Sequence, residues 1–246
     1  MISVLRRSYS IILLLVAWEA AGRLGYAPPS LLPAPSAVLL ATLKDATSNA
    51  HFLGDFSVTM FRLFFGLVIA ISLGVTFGVI AAQSRLGPLL LEPLVRVLSP
   101  LPKIVFFPAF LLLFGFGSFS RIVLVVIDAI FPALLAAYYG ARAVDEKLIW
   151  SARAAGMSQT ACIFRIALPA ALPTILTGIR IAIVIGCVVV FLSEMVAPED
   201  GLGSVMIRAA RSFETVQMFV PLVVISLVGF LLDHAVMRVR NAIVHW

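Results

Sequence analysis

The chain has 246 residues, of which 62% are hydrophobic and only 12% are charged, and this excludes a water-soluble globule, whose surface needs far more charge. The apolar residues form long runs instead of alternating ten-residue segments, so we expect membrane-spanning helices and not a β-barrel. The net charge of +6 does not indicate nucleic-acid binding, because the basic residues lie at the ends of apolar runs.

The first predicted element is a span from Met1 to Ala21 that carries Arg6 and Arg7 ahead of its apolar run. The pattern fits either a cleavable signal peptide or an uncleaved span with its N-terminus in the cytoplasm, and the spans that follow favour the second. An extended connector is then predicted by four prolines, Pro28, Pro29, Pro33 and Pro35. We expect Ser36 to N-cap a short amphipathic helix that ends near Ser48 on the outer face.

The second predicted span runs from Asp55 to Gln83, and its small residues Gly66, Gly74 and Gly78 would let a neighbouring helix approach closely. The next region cannot form one straight helix, because it contains Pro93, Pro100, Pro102 and Pro108. We predict a short interfacial helix followed by a broken third span that ends at the loop 115–118. Broken helices at membrane depth line cavities or are buried in protein, so this segment is a candidate pathway wall.

A fourth span is predicted from Arg121 to Gly140, a fifth from Thr174 to Ala197 and a sixth from Val216 to Val236. An outer loop at 198–203 and an amphipathic helix at 204–214 separate the last two. Ten arginines and lysines fall at the ends that share a side with the N-terminus, against five at the opposite ends, which places both termini in the cytoplasm. The sequence therefore predicts an all-α polytopic membrane protein with about six transmembrane helices.

A polar, basic segment from Lys147 to Pro173 lies between the fourth and fifth spans on the cytoplasmic side. We predict a helix from Asp145 to Ala155, a left-handed Gly156, and a second short helix that Ser158 caps and Pro169 stops. Such a bent helix pair either docks to a soluble partner or rests on the lipid headgroups.

This segment resembles the EAA loop of binding-protein-dependent ABC importer permeases. The glycine and the aliphatic-x-Leu-Pro ending of that loop match Gly156, Ile166, Leu168 and Pro169. Trp150, Ser151 and Ala152 fall where the family has a glutamate and two alanines, and Arg153 follows them. Because Trp150 replaces the acidic residue, any charged contact that the family makes at this position is absent here.

Further segments resemble the nitrate, sulfonate and taurine type of permease, namely LLPAPSAV at 31–38, FFPAFLLLFGFG at 106–117, ALPTILTGIRIA at 171–182 and SEMVAPEDGLG at 193–203. The resemblance implies a single permease domain over 1–246 with the type I importer fold. Residues 1–53 would hold the first span, the connector and the outer amphipathic helix, and 54–246 a five-helix core with the EAA-like loop at 141–172. It also implies a location in the cytoplasmic (inner) membrane.

The implied partners are two ABC ATPase subunits, a second permease copy that is identical or a close paralogue, an extracytoplasmic substrate-binding protein and membrane lipid. The chain has no Gly-Lys-Ser/Thr phosphate loop, so we expect no cofactor and no enzyme activity in it, with ATP and Mg bound by the partner ATPase. The resemblance implies a small solute, anionic or aromatic and heterocyclic. The alternative is a secondary transporter or channel that uses Asp128 and Glu194.

Charges inside predicted spans are costly and mark functional sites, and Asp128, Arg180 and Glu194 are such charges. With Pro102 and Pro108 they are our candidates for pathway or gating residues. Asp128 either pairs with Arg180 or faces a cavity and contacts the solute. Arg180 is either functional or extends to the inner surface, and for Glu194 we expect a structural or gating role.

Overall fold

The computed structural model describes residues 2–24, 28, 31–84 and 86–244. Pro29, Arg85 and the side chains of Arg6 and Arg7 lie outside the described part. Within the described part, all regular structure is helical, as the apolar runs predict.

The first helices are α1 (Ile2–Arg23), α2 (Pro35–Ser48), α3 (Ala50–Gln83) and α4 (Gly87–Leu98). A 3₁₀ turn (Lys103–Phe106) leads into α5 (Phe107–Phe114), which is followed by α6 (Ser118–Arg142), α7 (Glu146–Ala154) and α8 (Gln159–Cys162). A π-helical turn (Ile163–Ala167) then joins α8 to α9 (Leu168–Val196), and α10 (Leu202–Arg211) and α11 (Thr215–Ile243) complete the described fold.

Four helices among the described residues are long and apolar enough to cross a membrane, namely α3, α6, the continuous helix Gln159–Val196, and α11. A fifth span results if α4 and the segment Lys103–Phe114 are taken together, and these two are bent by 78°. The predicted break in the third span is therefore confirmed. The predicted first span, α1, has 22 residues but carries Arg6, Arg7, Glu19 and Arg23, so its composition is less apolar than that of the others.

The chain divides into two compact units. One consists of Met1–Thr59 and Glu194–Leu227, and the other of Met60–Ser193 and Val228–Trp246. The helices α3, α9 and α11 each contribute residues to both units. The single permease domain inferred from the sequence, with a boundary near residue 53, stays a prediction.

In the second unit, small residues bring α3, α6 and α9 close together. A β-carbon at Gly78 would come within 2.8 Å of the Ala137 side chain, and one at Gly178 within 2.6 Å of the Pro132 carbonyl oxygen. Beside these contacts lies an apolar cluster to which all three helices contribute, formed by Val79, Ala137, Ala141, Ala171 and Ile175. The prediction that glycines on the second span admit a neighbouring helix is confirmed, and the neighbour is α6.

The start of α2 differs from the prediction that Ser36 is its N-cap. Ala34 holds the N-cap position, because Pro35 has a backbone angle suited to the first helical turn and needs no donor there. Ser36 instead donates from its backbone N, at 3.0 Å, and from Oγ, at 2.7 Å, to the Glu19 carboxylate. These bonds fasten α2 to the end of α1 within the first unit.

The prediction that Pro169 stops the second helix of the polar segment is wrong. The backbone continues from Gln159 to Val196 as one helix of 38 residues. A proline inside a helix lacks a donor and clashes with the carbonyl four residues earlier, and the π-helical turn at Ile163–Ala167 widens the backbone just before Pro169. The second helix of the bent pair is therefore the N-terminal end of the fifth span.

Candidate functional site

Side-chain caps and a left-handed glycine shape the bend between α7 and α8. The Asp145 carboxylate accepts from Lys147 N at 2.9 Å, and Ser158 Oγ accepts from Ala161 N at 3.3 Å, so each helix has its own N-cap. Gly156 has φ +87°, and Met157 N donates to Ala152 O at 3.0 Å across the end of α7. The predicted left-handed Gly156 and the Ser158 cap are confirmed.

Large apolar side chains project from this helix pair. Trp150 is 65% exposed, Phe164 is 68% exposed, and Leu148 is also largely exposed. Of the other residues that match the EAA loop, Ser151, Arg153 and Gly156 are exposed, whereas Ala152, Ile166, Leu168 and Pro169 are half-buried. The segment thus presents an aromatic and aliphatic surface where the family pattern has a glutamate.

The intramembrane Asp128 on α6 forms an ion pair with Lys103, which lies in the 3₁₀ turn before α5. Lys103 Nζ lies 3.1 Å from Asp128 Oδ1, donates to Ser99 O at 3.2 Å, and lies 4.7 Å from the centroid of the Phe131 ring. The alternative in which Asp128 pairs with Arg180 is therefore wrong. Lys103 had no predicted role, because its depth in the membrane could not be read from the sequence.

Arg180 on α9 pairs with Asp233 on α11. Its Nε donates to Asp233 Oδ1 at 2.6 Å and its Nη2 to Asp233 Oδ2 at 3.0 Å, the bidentate geometry that suits a guanidinium and a carboxylate. Both side chains are about 30% exposed. The pair neutralises two charges inside spanning helices, so Arg180 needs no extension to the membrane surface.

Glu194, near the outer end of α9, is fully buried. Its carboxylate accepts from Thr59 Oγ1 at 2.9 and 3.0 Å and from Gly203 N at 3.1 Å, and its backbone O accepts from Ser204 Oγ at 3.2 Å. Thr59 Oγ1 in turn accepts from Leu202 N at 2.9 Å. These bonds bind the first turn of α10, and with it the loop before α10, to α3 and α9 within the first unit.

A second carboxylate holds the same loop. Asp55 Oδ1 accepts from Gly201 N at 2.7 Å, and Asp55 Oδ2 accepts from Arg208 Nη2 at 2.5 Å. Gly201 has φ +94°, and a β-carbon there would collide with the Glu194 carboxylate. This loop therefore requires glycine on two separate grounds, its backbone angle and the space available.

The two candidate prolines lie at the break in the third span. Pro102 precedes the 3₁₀ turn with φ −72° and ψ 96°, and Pro108 lies in the first turn of α5, where a missing donor costs nothing. Both are exposed. They shape the backbone that carries Lys103 to Asp128.

Sequence reasoning missed Lys103, Asp233 and Thr59 as functional or structural partners. Asp233 could have been found, because it is an acidic residue inside the apolar run of the sixth span. Thr59 carries no such signal, since a threonine in a spanning helix can bond its own backbone, and Asp55 O lies 3.2 Å from Thr59 Oγ1.

The all-helical polytopic fold and the bent helix pair before the fifth span suit the transmembrane subunit of an ABC importer, and the family match establishes that class. The chain belongs to the family of binding-protein-dependent transport system inner membrane components, whose profile matches residues 74–245. It is thus a transport subunit of the inner membrane and crosses that membrane several times. Family membership decides against a secondary transporter or channel.

Among curated relatives, the chain is 29% identical over 233 residues to SsuC of Bacillus subtilis (strain 168), a permease named for aliphatic sulfonates transport, with 95% of this chain and 84% of that protein covered. It is 27% identical to the taurine transport system permease TauC of Escherichia coli (strain K12), covering 96% and 88%. It is 25% identical to the formylaminopyrimidine transport permease ThiX of Halalkalibacterium halodurans, covering 98% of both.

The fold is also similar to that of solved importer structures. An inward-facing structure of the methionine ABC transporter MetNI superposes with a TM-score of 0.61 over 79% of this chain and 95% of that one, at 20% identity. The type I importer fold that the resemblance implied is therefore confirmed.

Proposed function

We propose that this chain moves a small solute across the inner membrane, coupled to separate ATPase subunits through the segment from Lys147 to Pro169. Trp150, Ser151, Ala152, Arg153 and Gly156 would form or border the contact, and Ile166, Leu168 and Pro169 would join it to the fifth span. ATP and Mg bind the partner ATPase, which hydrolyses the nucleotide.

The observation that carries this proposal is the exposed apolar surface of α7 and α8 on a capped, bent backbone. Leu148, Trp150 and Phe164 are each more than half exposed, and exposed apolar surface marks contacts with other proteins or with a membrane. Tryptophans that become buried when two proteins bind are frequent anchors of the interface. The helix α8 runs without interruption into α9. A movement of the α7–α8 pair by the ATPase would therefore be transmitted directly to the membrane-spanning part of α9.

The experiment truncates two exposed apolar side chains of α7, Leu148 and Trp150, in the assembled transporter. We expect Leu148→Ala and Trp150→Ala to lower the amount of co-purified ATPase and to abolish ATP-dependent uptake, because they remove the apolar contact. The control is Leu40→Ala on α2, which also truncates an exposed leucine but lies far from the segment in sequence. Full ATPase recovery in the Leu148→Ala/Trp150→Ala double variant would refute the docking.

The apolar character of the contact at Trp150 predicts how ATPase binding responds to salt. With Trp150 in place of an acidic residue, this part of the contact is apolar, so salt screening does not weaken it. We expect the ATPase to stay bound in high salt. Cross-linking from Trp150→Cys tests the position directly, and the native Cys162 and Cys187 are buried and give little background.

The assembly we propose has two permease chains, two ATPase subunits and an extracytoplasmic substrate-binding protein, with both termini of this chain in the cytoplasm. Family membership and the excess of cations at the ends that share a side with the N-terminus support it. Native mass spectrometry of the purified complex gives the stoichiometry. The names of the relatives support a small anionic or heterocyclic solute.

A further inference from the structure

The Lys103–Asp128 pair lies in the wall of a cleft of about 520 Å³ within the second unit. The cleft lies between residues of α6 and α9, with Ser99 and Lys103 from the break in the third span. Its volume suits a solute of small-metabolite size. This cleft lies between two of the membrane-spanning helices, α6 and α9.

Charge in this cleft is confined to one place. Among the residues that line it, Lys103 and Asp128 are the charged ones, and most others are apolar, such as Pro132, Leu135 and Ile181. Both residues line the cleft, and their side chains are 9% and 20% exposed. A solute in this cleft therefore meets a cation and an anion 3.1 Å apart.

The two charges of the pair are not fully satisfied by each other. Lys103 Nζ has three donors, of which one goes to Asp128 and one to Ser99 O. The carboxylate of Asp128 can accept several hydrogen bonds, and Lys103 supplies one. Each partner thus keeps hydrogen-bonding capacity for a bound solute, in an apolar surrounding where charge-assisted bonds are strong.

We propose that this cleft binds a small zwitterionic solute, with its acidic group at Lys103 and its amino group at Asp128. The proposal rests on the importer function above and replaces the simple anion that the relatives' names support with a solute that carries both charges. A simple anion would bring its charge against the Asp128 carboxylate, and a simple cation would bring its charge against Lys103. Each charge of a zwitterionic solute would pair with the opposite charge of Lys103 or Asp128, and these pairings offset the free-energy cost of removing both charged groups from water.

The test measures binding to the full chain in lipid nanodiscs by equilibrium dialysis, without binding protein or ATPase. The probes are 2-aminoethanesulfonate, ethanesulfonate and ethylamine, which share a carbon skeleton and differ in their charges. We expect the zwitterion to bind about tenfold more tightly than either singly charged probe, the worth of one added charge-assisted hydrogen bond.

Variants then change the preference in opposite directions. Asp128→Asn leaves Lys103 as the only charge, so ethanesulfonate should become the tightest probe, and Lys103→Met should favour ethylamine. The double variant Lys103→Met/Asp128→Asn should bind all three alike, and it keeps the test valid if a single variant with an unpaired charge fails to fold. Glu92→Gln, which alters a partly exposed acid outside the cleft, is the control and should leave the preference unchanged.

Equal binding of the three probes to the unaltered chain, or no saturable binding of any of them, would overturn the proposal. So would an unchanged order of affinities in Asp128→Asn and Lys103→Met, because the pair would then only join the 3₁₀ turn to α6. These results leave the importer function untouched, since that function is tested separately by ATPase co-purification.

Discussion

At the scale of the residue, the carboxylate of Glu194 shows how a charge is kept inside this membrane protein. It is fully buried, and Thr59 and Gly203 donate to it. Burying a carboxylate without such donors costs several kcal/mol, so these partners are needed for folding. The structural role expected of Glu194 thus has a geometry to support it, while a gating role stays a prediction.

Replacing Thr59 tests this arrangement. Thr59→Val keeps the shape but removes the hydroxyl that joins Glu194 to Leu202 N, so two buried polar groups lose a partner. We expect the free energy of unfolding to fall by about 1–3 kcal/mol, because Leu202 N loses its buried acceptor while Glu194 keeps other donors such as Gly203 N. Thermal unfolding in detergent measures the loss. Thr59→Ser keeps the hydroxyl and should stay within a few degrees of the unaltered protein; equal melting of Val and Ser variants would contradict the argument.

Two glycines of the first unit give a matched pair. Gly201→Ala places a β-carbon against the Glu194 carboxylate at φ +94°, whereas a β-carbon at Gly54 has nothing within 4 Å. We expect Gly201→Ala to lose well over 1–2 kcal/mol, the cost of the left-handed backbone alone. Gly54→Ala lies in a helix and should be neutral or stabilise by up to about 1 kcal/mol. The measurement is the amount of folded protein that size-exclusion chromatography recovers, which should be much lower for Gly201→Ala than for Gly54→Ala.

At the scale of the element, the bent pair α7–α8 and the broken third span are the parts that depart from plain spanning helices. Both owe their shape to local chemistry. In the bent pair, Asp145 and Ser158 cap the helices and Gly156 supplies the left-handed residue. In the third span, Pro102 and Pro108 bracket the 3₁₀ turn that carries Lys103.

Gly156 gives the prediction at this scale. A β-carbon there has open space around it, so a substitution acts through the backbone angle alone. We expect Gly156→Val to cost about 1–2 kcal/mol in this conformation and to shift the bend, lowering ATPase co-purification while the chain still reaches the membrane. Gly156→Asn, whose side chain tolerates left-handed backbone, should retain most of the binding. Equal losses in Val and Asn would mean that the angle is not what matters.

At the scale of the whole molecule, orientation in the membrane follows from the distribution of cations and is open to direct measurement. Ala155→Cys in the bend and Ser212→Cys after α10 are both exposed positions. We expect a membrane-impermeant maleimide to label Ser212→Cys in intact cells and Ala155→Cys only after the inner membrane is opened. Labelling in the reverse order would invert the proposed topology, and the unaltered chain, whose two cysteines are buried, is the control.

The amino-acid sequence alone determined the membrane class, the positions of the spans after the first, the break in the third span, the left-handed Gly156 and the family. These features depend on apolar run length, on proline and glycine, and on short motifs, all of which act within a few neighbouring residues. Even here the sequence failed at Pro169, because a proline at a π-helical turn is accommodated without ending the helix.

Only the tertiary structure decided which charges meet. Thr59 and Glu194 are 135 residues apart in the chain, and Arg180 and Asp233 are 53 apart. Any of several intramembrane cations could satisfy Asp128 on local grounds, and in the fold Lys103 does so at 3.1 Å. Such pairings depend on how helices pack, and no local pattern specifies which helix packs against a glycine such as Gly78 or Gly178.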